Sequence, residues 1–92
     1  MSSQLVVLDG LELEARRLFI ASASQAVDKA TGHIELDCAR LDRVEEPTLG
    51  MLVTVARFAQ RRGQRVVLNQ SSKRVRSDLD DAGVSFLFAW SA

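Results

Sequence analysis

One cysteine, one proline, one tryptophan, no tyrosine and no surplus of either charge sign are found among the 92 residues of this chain. Each shortage excludes something. Cys38 alone makes no internal disulfide, so the fold has to stand on its core. A single histidine, His33, leaves little for acid–base catalysis, and no metal is expected, because a metal centre wants three or four convergent ligands. Twelve basic residues balance twelve acidic ones, whereas a general nucleic-acid or anionic-membrane binder needs a basic excess. The longest apolar stretch, Phe86 to Trp90, is far too short to insert across a bilayer. No basic segment followed by an apolar run opens the chain, so no secretory signal is read and the cytoplasm is the expected compartment. A Gly-rich phosphate loop, a nucleophile elbow and a CxxC pair are all missing, and neither an enzyme nor a cofactor is expected.

What is present is an ordinary globular composition, 47% hydrophobic and 26% charged, in a length that makes one domain, residues 1–92. Short apolar runs alternate with longer periodic segments. Leu5 to Leu8 reads as a strand ended by Asp9-Gly10. From Leu13 to Ala30 the spacing is helical, with Arg16, Phe19, Ile20, Ala23, Val27 and Ala30 on one face and Gly32 as the stop. His33 to Cys38 alternates strictly, with Ile34, Leu36 and Cys38 on one side and His33, Glu35 and Asp37 on the other. Gln64 to Asn69 repeats this, with Arg65, Val67 and Asn69 on the polar side. A strand covered on both faces would be apolar throughout, so helices are expected mainly on one face of the sheet. A second helix runs from Pro47 to Arg62, with proline at its first position and Gly63 behind it. A third starts at Ser71 or Ser72 and buries Val75, Leu79 and Ala82, and Val84 to Trp90 is a last strand or a docked turn. The order predicts an α/β domain with a mostly parallel sheet of about four strands, joined by right-handed crossovers.

His33, Glu35, Asp37 and Cys38 could suggest a catalytic or metal constellation, but alternation makes them the two sides of one half-open strand. Two basic groups, Arg57/Arg61/Arg62/Arg65 and Lys73/Arg74/Arg76, read best as solvated helix faces on a neutral chain. The Pro47 helix says more. At about 100° per residue, Leu49, Leu52, Val53 and Ala56 form its core stripe, while Met51, Val55 and Phe58 make a second apolar flank. An apolar arc this wide exceeds what packing on one sheet face requires. Either the tail from Phe86 to Trp90 covers the surplus or a partner does. Glu45 and Glu46 precede this helix, where the macrodipole stabilises negative charge and where a phosphate would also sit.

The stretch from Val6 to Phe88 resembles the STAS domain, the family of bacterial anti-sigma-factor antagonists. The resemblance is carried by His33-Ile34-Glu35-Leu36-Asp37 followed eight residues later by Glu45-Glu46-Pro47-Thr48-Leu49-Gly50, with Gly10, Arg61-Arg62-Gly63 and Leu79 to Val84 as supporting positions. The family pattern opens this helix with Asp-Ser-Ser-Gly-Leu-Gly. Aligned on Leu49-Gly50, the phosphoacceptor serine falls on Pro47, which has no hydroxyl, and Thr48 is the nearest one. Glu45 and Glu46 place permanent negative charge where the switch would add it.

The resemblance implies a STAS-like fold and a non-catalytic regulatory module that docks an anti-sigma factor or a histidine-kinase-like ATPase. The docking residues would be Glu45, Glu46, Pro47, Thr48, Met51, Val55 and Phe58, with the switch lost or fixed in a phosphorylated-like state. Alternatives are a constitutive subunit of a chemotaxis-operon regulator or of a lipid-transport ATPase complex, and a nucleotide binder using the arginines near Arg57 to Arg65. The chain is shorter than usual members at both ends, which leaves an edge or flank for a partner or a second copy in a homodimer.

Overall fold

The alternation marks out the strands of the computed structural model, which describes residues 5–29 and 32–91. In chain order the elements are β1 (Leu5–Val6), α1 (Leu13–Lys29), β2 (His33–Asp37), α2 (Glu46–Arg61), β3 (Arg65–Asn69), α3 (Lys73–Asp81), a 3₁₀ turn (Ser85–Leu87) and β4 (Phe88–Trp90). The four strands form one parallel sheet in the order β1-β2-β3-β4. Successive right-handed crossovers that always step to the next strand put every helix on the same side. Buried side chains agree: Phe19, Ala23 and Val27 of α1, Leu52 and Ala56 of α2, and Val75 and Leu79 of α3 join one cluster with Ile34, Leu36, Val66 and Leu68 of the strands.

Each element follows from local chemistry. In β2, Ile34 and Leu36 are buried while His33 is exposed and Glu35 and Asp37 are half-buried, as the period of two requires. The pairing Ile34↔Val66 and Leu36↔Leu68 stacks apolar residues on apolar residues across the ladder. Helix α3 starts on Ser72, whose hydroxyl accepts the Val75 N–H at 3.1 Å, a cap worth about 1 kcal/mol. Gly83, at φ +74°, supplies the left-handed residue behind α3 that lets the chain turn back toward the sheet.

Several expectations are corrected. The last run is both of the things it was expected to be in alternative: a 3₁₀ turn followed by a strand paired in parallel with β3. Asn69, placed on the solvated side by alternation, is only 7% exposed, because its Nδ2 donates to Glu35 Oε1 at 2.8 Å across the ladder. Ala82 is exposed rather than buried, since α3 ends one residue before it. The expected face of α1 is found in Phe19, Ala23 and Val27, with Ala30 outside the described residues. Arg16, its polar member, curls back to donate to the Leu11 carbonyl at 2.7 Å. Among the described residues no helix is long and apolar enough to cross a membrane.

Candidate functional site at the start of helix α2

All parallel strands end on the same side, so the segments that follow β1, β2 and β3 gather at one edge of the domain, where α2 also begins. The segment after β2 is held along its length. Asp37 Oδ1 accepts the Ala39 N–H at 2.9 Å, Cys38 N donates to the Asn69 carbonyl, and Leu41 is buried as its apolar anchor. At the far end the Val44 N–H donates to Asp78 Oδ2 at 2.8 Å, while Arg74 Nε donates to the other oxygen at 3.0 Å. The Val44 N–H holds the Asp78 carboxyl below the usual carboxylate range, with Arg74 and Arg43 adding to the effect against partial desolvation.

Helix α2 opens on Glu45, which has extended backbone and no side-chain cap, followed by Glu46 and Pro47 in the first turn. Glu45, Glu46 and Pro47 are exposed, and Glu45 lies 3.8 Å from Arg43. Proline at this point costs no helix bond, because its missing N–H would have had no partner inside the helix. Thr48 is different. It is 3% exposed, and its hydroxyl donates to Asp9 Oδ1 at 2.9 Å, tying the first turn of α2 to the segment after β1. The Thr48 hydroxyl is therefore committed inside the fold.

The expected docking residues thus divide. Glu45, Glu46 and Pro47 form an exposed surface, whereas Thr48 sits beneath it. Met51 and Val55, expected on a free flank, are 2% and 1% exposed and belong to the core. Helix α1 packs along α2, and the 3₁₀ turn of the tail touches α2 as well, so the fold itself covers these side chains and no partner is needed to do so. The buried stripe of α2 is Met51, Leu52, Val55, Ala56 and Ala59, while Leu49 and Val53, expected in the core stripe with Leu52 and Ala56, are half-buried. Phe58 is half-buried too, and the Arg62 guanidinium lies 3.7 Å from its ring centre while pairing with Asp28 of α1 at 2.8 Å.

The other candidates do not assemble into sites. Cys38 is buried on the helix side and His33 exposed on the opposite side, with His33 Nε2 3.9 Å from Glu35 Oε2. Burial pushes the Cys38 thiol up, against a contribution from Ser71 that lowers it, so it is a poor nucleophile. Of the four arginines expected of a nucleotide site, Arg65 donates to the Phe88 carbonyl and Arg62 is engaged as above, which leaves Arg57 and Arg61 without an ion pair among the described residues. Arg76 lies over Trp90 at 5.0 Å and Arg74 on Asp78, which accounts for two of the three residues in the second basic group. Sequence reasoning missed Asp9 and Asp78. The Asp9-Gly10 turn marked the first only as a strand end, and the 34-residue separation from Val44 left no local signal for the second.

A family model described as "Mlab, STAS domain" matches residues 2–85. No curated protein is significantly similar in sequence. Among solved structures, a crystal structure from Thermotoga maritima assigned as an anti-sigma factor antagonist superposes with a TM-score of 0.71. The match covers 97% of this chain and 73% of that one, and at 15% identity it speaks for the fold.

Proposed function

The chain belongs to the STAS domain family, and on that premise we propose that it is a non-catalytic, cytoplasmic regulatory module whose docking is not switched by phosphorylation. The observation that carries this reading is the state of the α2 entrance: Pro47, which the resemblance aligns with the phosphoacceptor, has no hydroxyl, and the Thr48 hydroxyl is buried against Asp9. A kinase needs an accessible hydroxyl with room for an added phosphate. Neither is available there without breaking the Thr48–Asp9 bond. On the exposed Glu45–Pro47 surface, held on a loop pinned by Leu41 and by Asp78, Glu45 is paired with Arg43 and the Glu46 carboxylate keeps a fixed negative charge with no ion pair among the described residues. Such a charge sets on-rate and partner choice for an anti-sigma factor or a histidine-kinase-like ATPase.

The same occlusion favours a second reading, in which the chain is a permanent subunit of a larger assembly such as a lipid-transport ATPase complex or a chemotaxis-operon regulator. Affinity capture from the native host, with wild type and Glu46→Lys as baits, separates the readings. An anti-sigma factor or kinase-like ATPase retained by wild type and lost with Glu46→Lys is the expected result. A transport ATPase moves the assignment to the permanent subunit. Identical captures from both baits, or stoichiometric phosphate on Thr48 in protein from the host, sink the unswitched-loop reading.

A further inference from the structure

Helices α1 and α2 touch along the core but part on their outer side. A groove runs between them in two contiguous stretches of about 320 and 260 Å³, which share Ile20 and Thr54. The first stretch begins at Glu46 and Pro47, next to the α2 entrance, and the second ends at Arg57, Phe58 and Arg61. From Gly50 to Arg61 the helix rises about 16 Å, room for four to five turns of an opposing helix when the Glu46 end is included. Gly50 has no side chain and open space where one would be, so a second helix can approach the α2 backbone closely there.

The charge on this groove is not balanced as it is elsewhere. Arg17 is paired with Glu14 at 3.3 Å and Arg62 with Asp28, while Arg16 is oriented by the Leu11 carbonyl and keeps its charge in the stretch that Glu46 also lines. Arg57 and Arg61 are exposed and make no ion pair among the described residues, and no acidic residue lines their stretch of the groove. On a chain of zero net charge, this is a local cationic excess beside apolar Ile20 and Phe58. The two guanidiniums are spaced i, i+4 on one helix, the spacing that carboxylates at i, i+4 on a facing helix match. An isolated phosphate fits worse, since this is the C-terminal half of α2, whose dipole is negative and whose N–H groups are used.

We propose that the α1–α2 groove receives an acidic amphipathic helix from a partner protein, with its carboxylates on Arg57 and Arg61 and its apolar residues on Ile20 and Leu13. The inference rests on the reading of the chain as an interaction module and extends that surface from the α2 entrance into the groove.

The probe is a fluorescent, side-chain-stapled helical peptide of ~18 residues, long enough to fill the groove. It carries Glu at i, i+4 spacing on one side and Leu on the other, and its twin carries Lys in place of Glu. Wild type is expected to bind the Glu peptide at least tenfold more tightly than the Lys peptide at low salt, a preference that shrinks as salt rises. Arg57→Gln with Arg61→Gln is expected to abolish the preference while lowering the thermal unfolding midpoint by no more than a few degrees, since both residues are exposed and only the favourable charge of Arg61 in the last turn of α2 is lost. Equal binding of the two peptides, no binding of either, or binding only to anionic phosphatidylglycerol vesicles overturns the groove. In the capture experiment, a partner lost with Glu46→Lys but kept by the double arginine variant leaves the loop reading standing and removes this one. A partner kept by both variants removes both.

Discussion

Ile34, Leu36, Val66 and Leu68 look into three helices, while Glu35 and Val67, their neighbours on the same two strands, look away from all of them. Backbone pairing is identical on the two sides, so the contrast lies wholly in what covers the side chains. On the helix side every position is fixed by packing. On the other side His33, Glu35 and Asn69 form a short polar chain and Val6 stays exposed. Stability should therefore respond strongly to substitutions on one side and, away from the buried Asn69, only weakly on the other.

The largest expected effect is on the covered side. Leu36→Ala removes a fully buried side chain between β2 and the helices and should cost about 2–5 kcal/mol in urea unfolding. A cost under about 1 kcal/mol would show that the helices close over the gap, contrary to the rigid packing inferred here. Next, Thr48→Ala breaks the bond to Asp9 and should cost about 1 kcal/mol, with Ser72→Ala similar through its lost cap. If Thr48→Ala leaves stability unchanged, the α2 entrance is not held by that bond.

Acid sharpens the contrast in another way. The Asp78 carboxyl is depressed in the folded state, so its stabilising contribution is present above its unfolded value of about 3.9 and is lost as pH falls through the lower folded value. Asp78→Asn should flatten the acid limb of stability below about pH 4 and leave the neutral-to-alkaline limb unchanged. An unaltered acid limb would mean that the Val44 tether does not form in solution. The smallest expected effect is on the open side, where Val67→Thr should stay within about 0.5 kcal/mol of wild type. A loss as large as that of Leu36→Ala would mean that something covers this side in solution, and the oligomeric state would then be the quantity to measure.

Much of this architecture can be read from residue order. The period of two in His33 to Cys38 and the period near four in Leu13 to Lys29 are local properties of the backbone, so strands and helices fall where they were expected to within a residue or two. The first strand is shorter than its apolar run, because its pairing with β2 ends at the Val7 N–H to Asp37 carbonyl bond before Asp9-Gly10 turns the chain. The α2 entrance was half legible. Glu45, Glu46 and Pro47 stood out as a charged, proline-started helix, and their exposure agrees. Met51 and Val55 were misplaced because a helix wheel shows how wide an apolar arc is and not which neighbour covers each part of it. A second helix, α1, lies on that part here.

The sequence by itself determined the class of the fold, the polar and apolar sides of its strands, and the absence of a hydroxyl at Pro47. These depend on residue type and on spacing within one element. Only the tertiary structure decided that the Thr48 hydroxyl is taken by Asp9, that Asp78 pins the loop at Val44, and that Arg57 and Arg61 stand along a groove with no ion pair among the described residues. Each of these joins or separates residues far apart in the chain. Whether a side chain is engaged or free depends on the angle and offset at which separate elements meet, which no local pattern encodes.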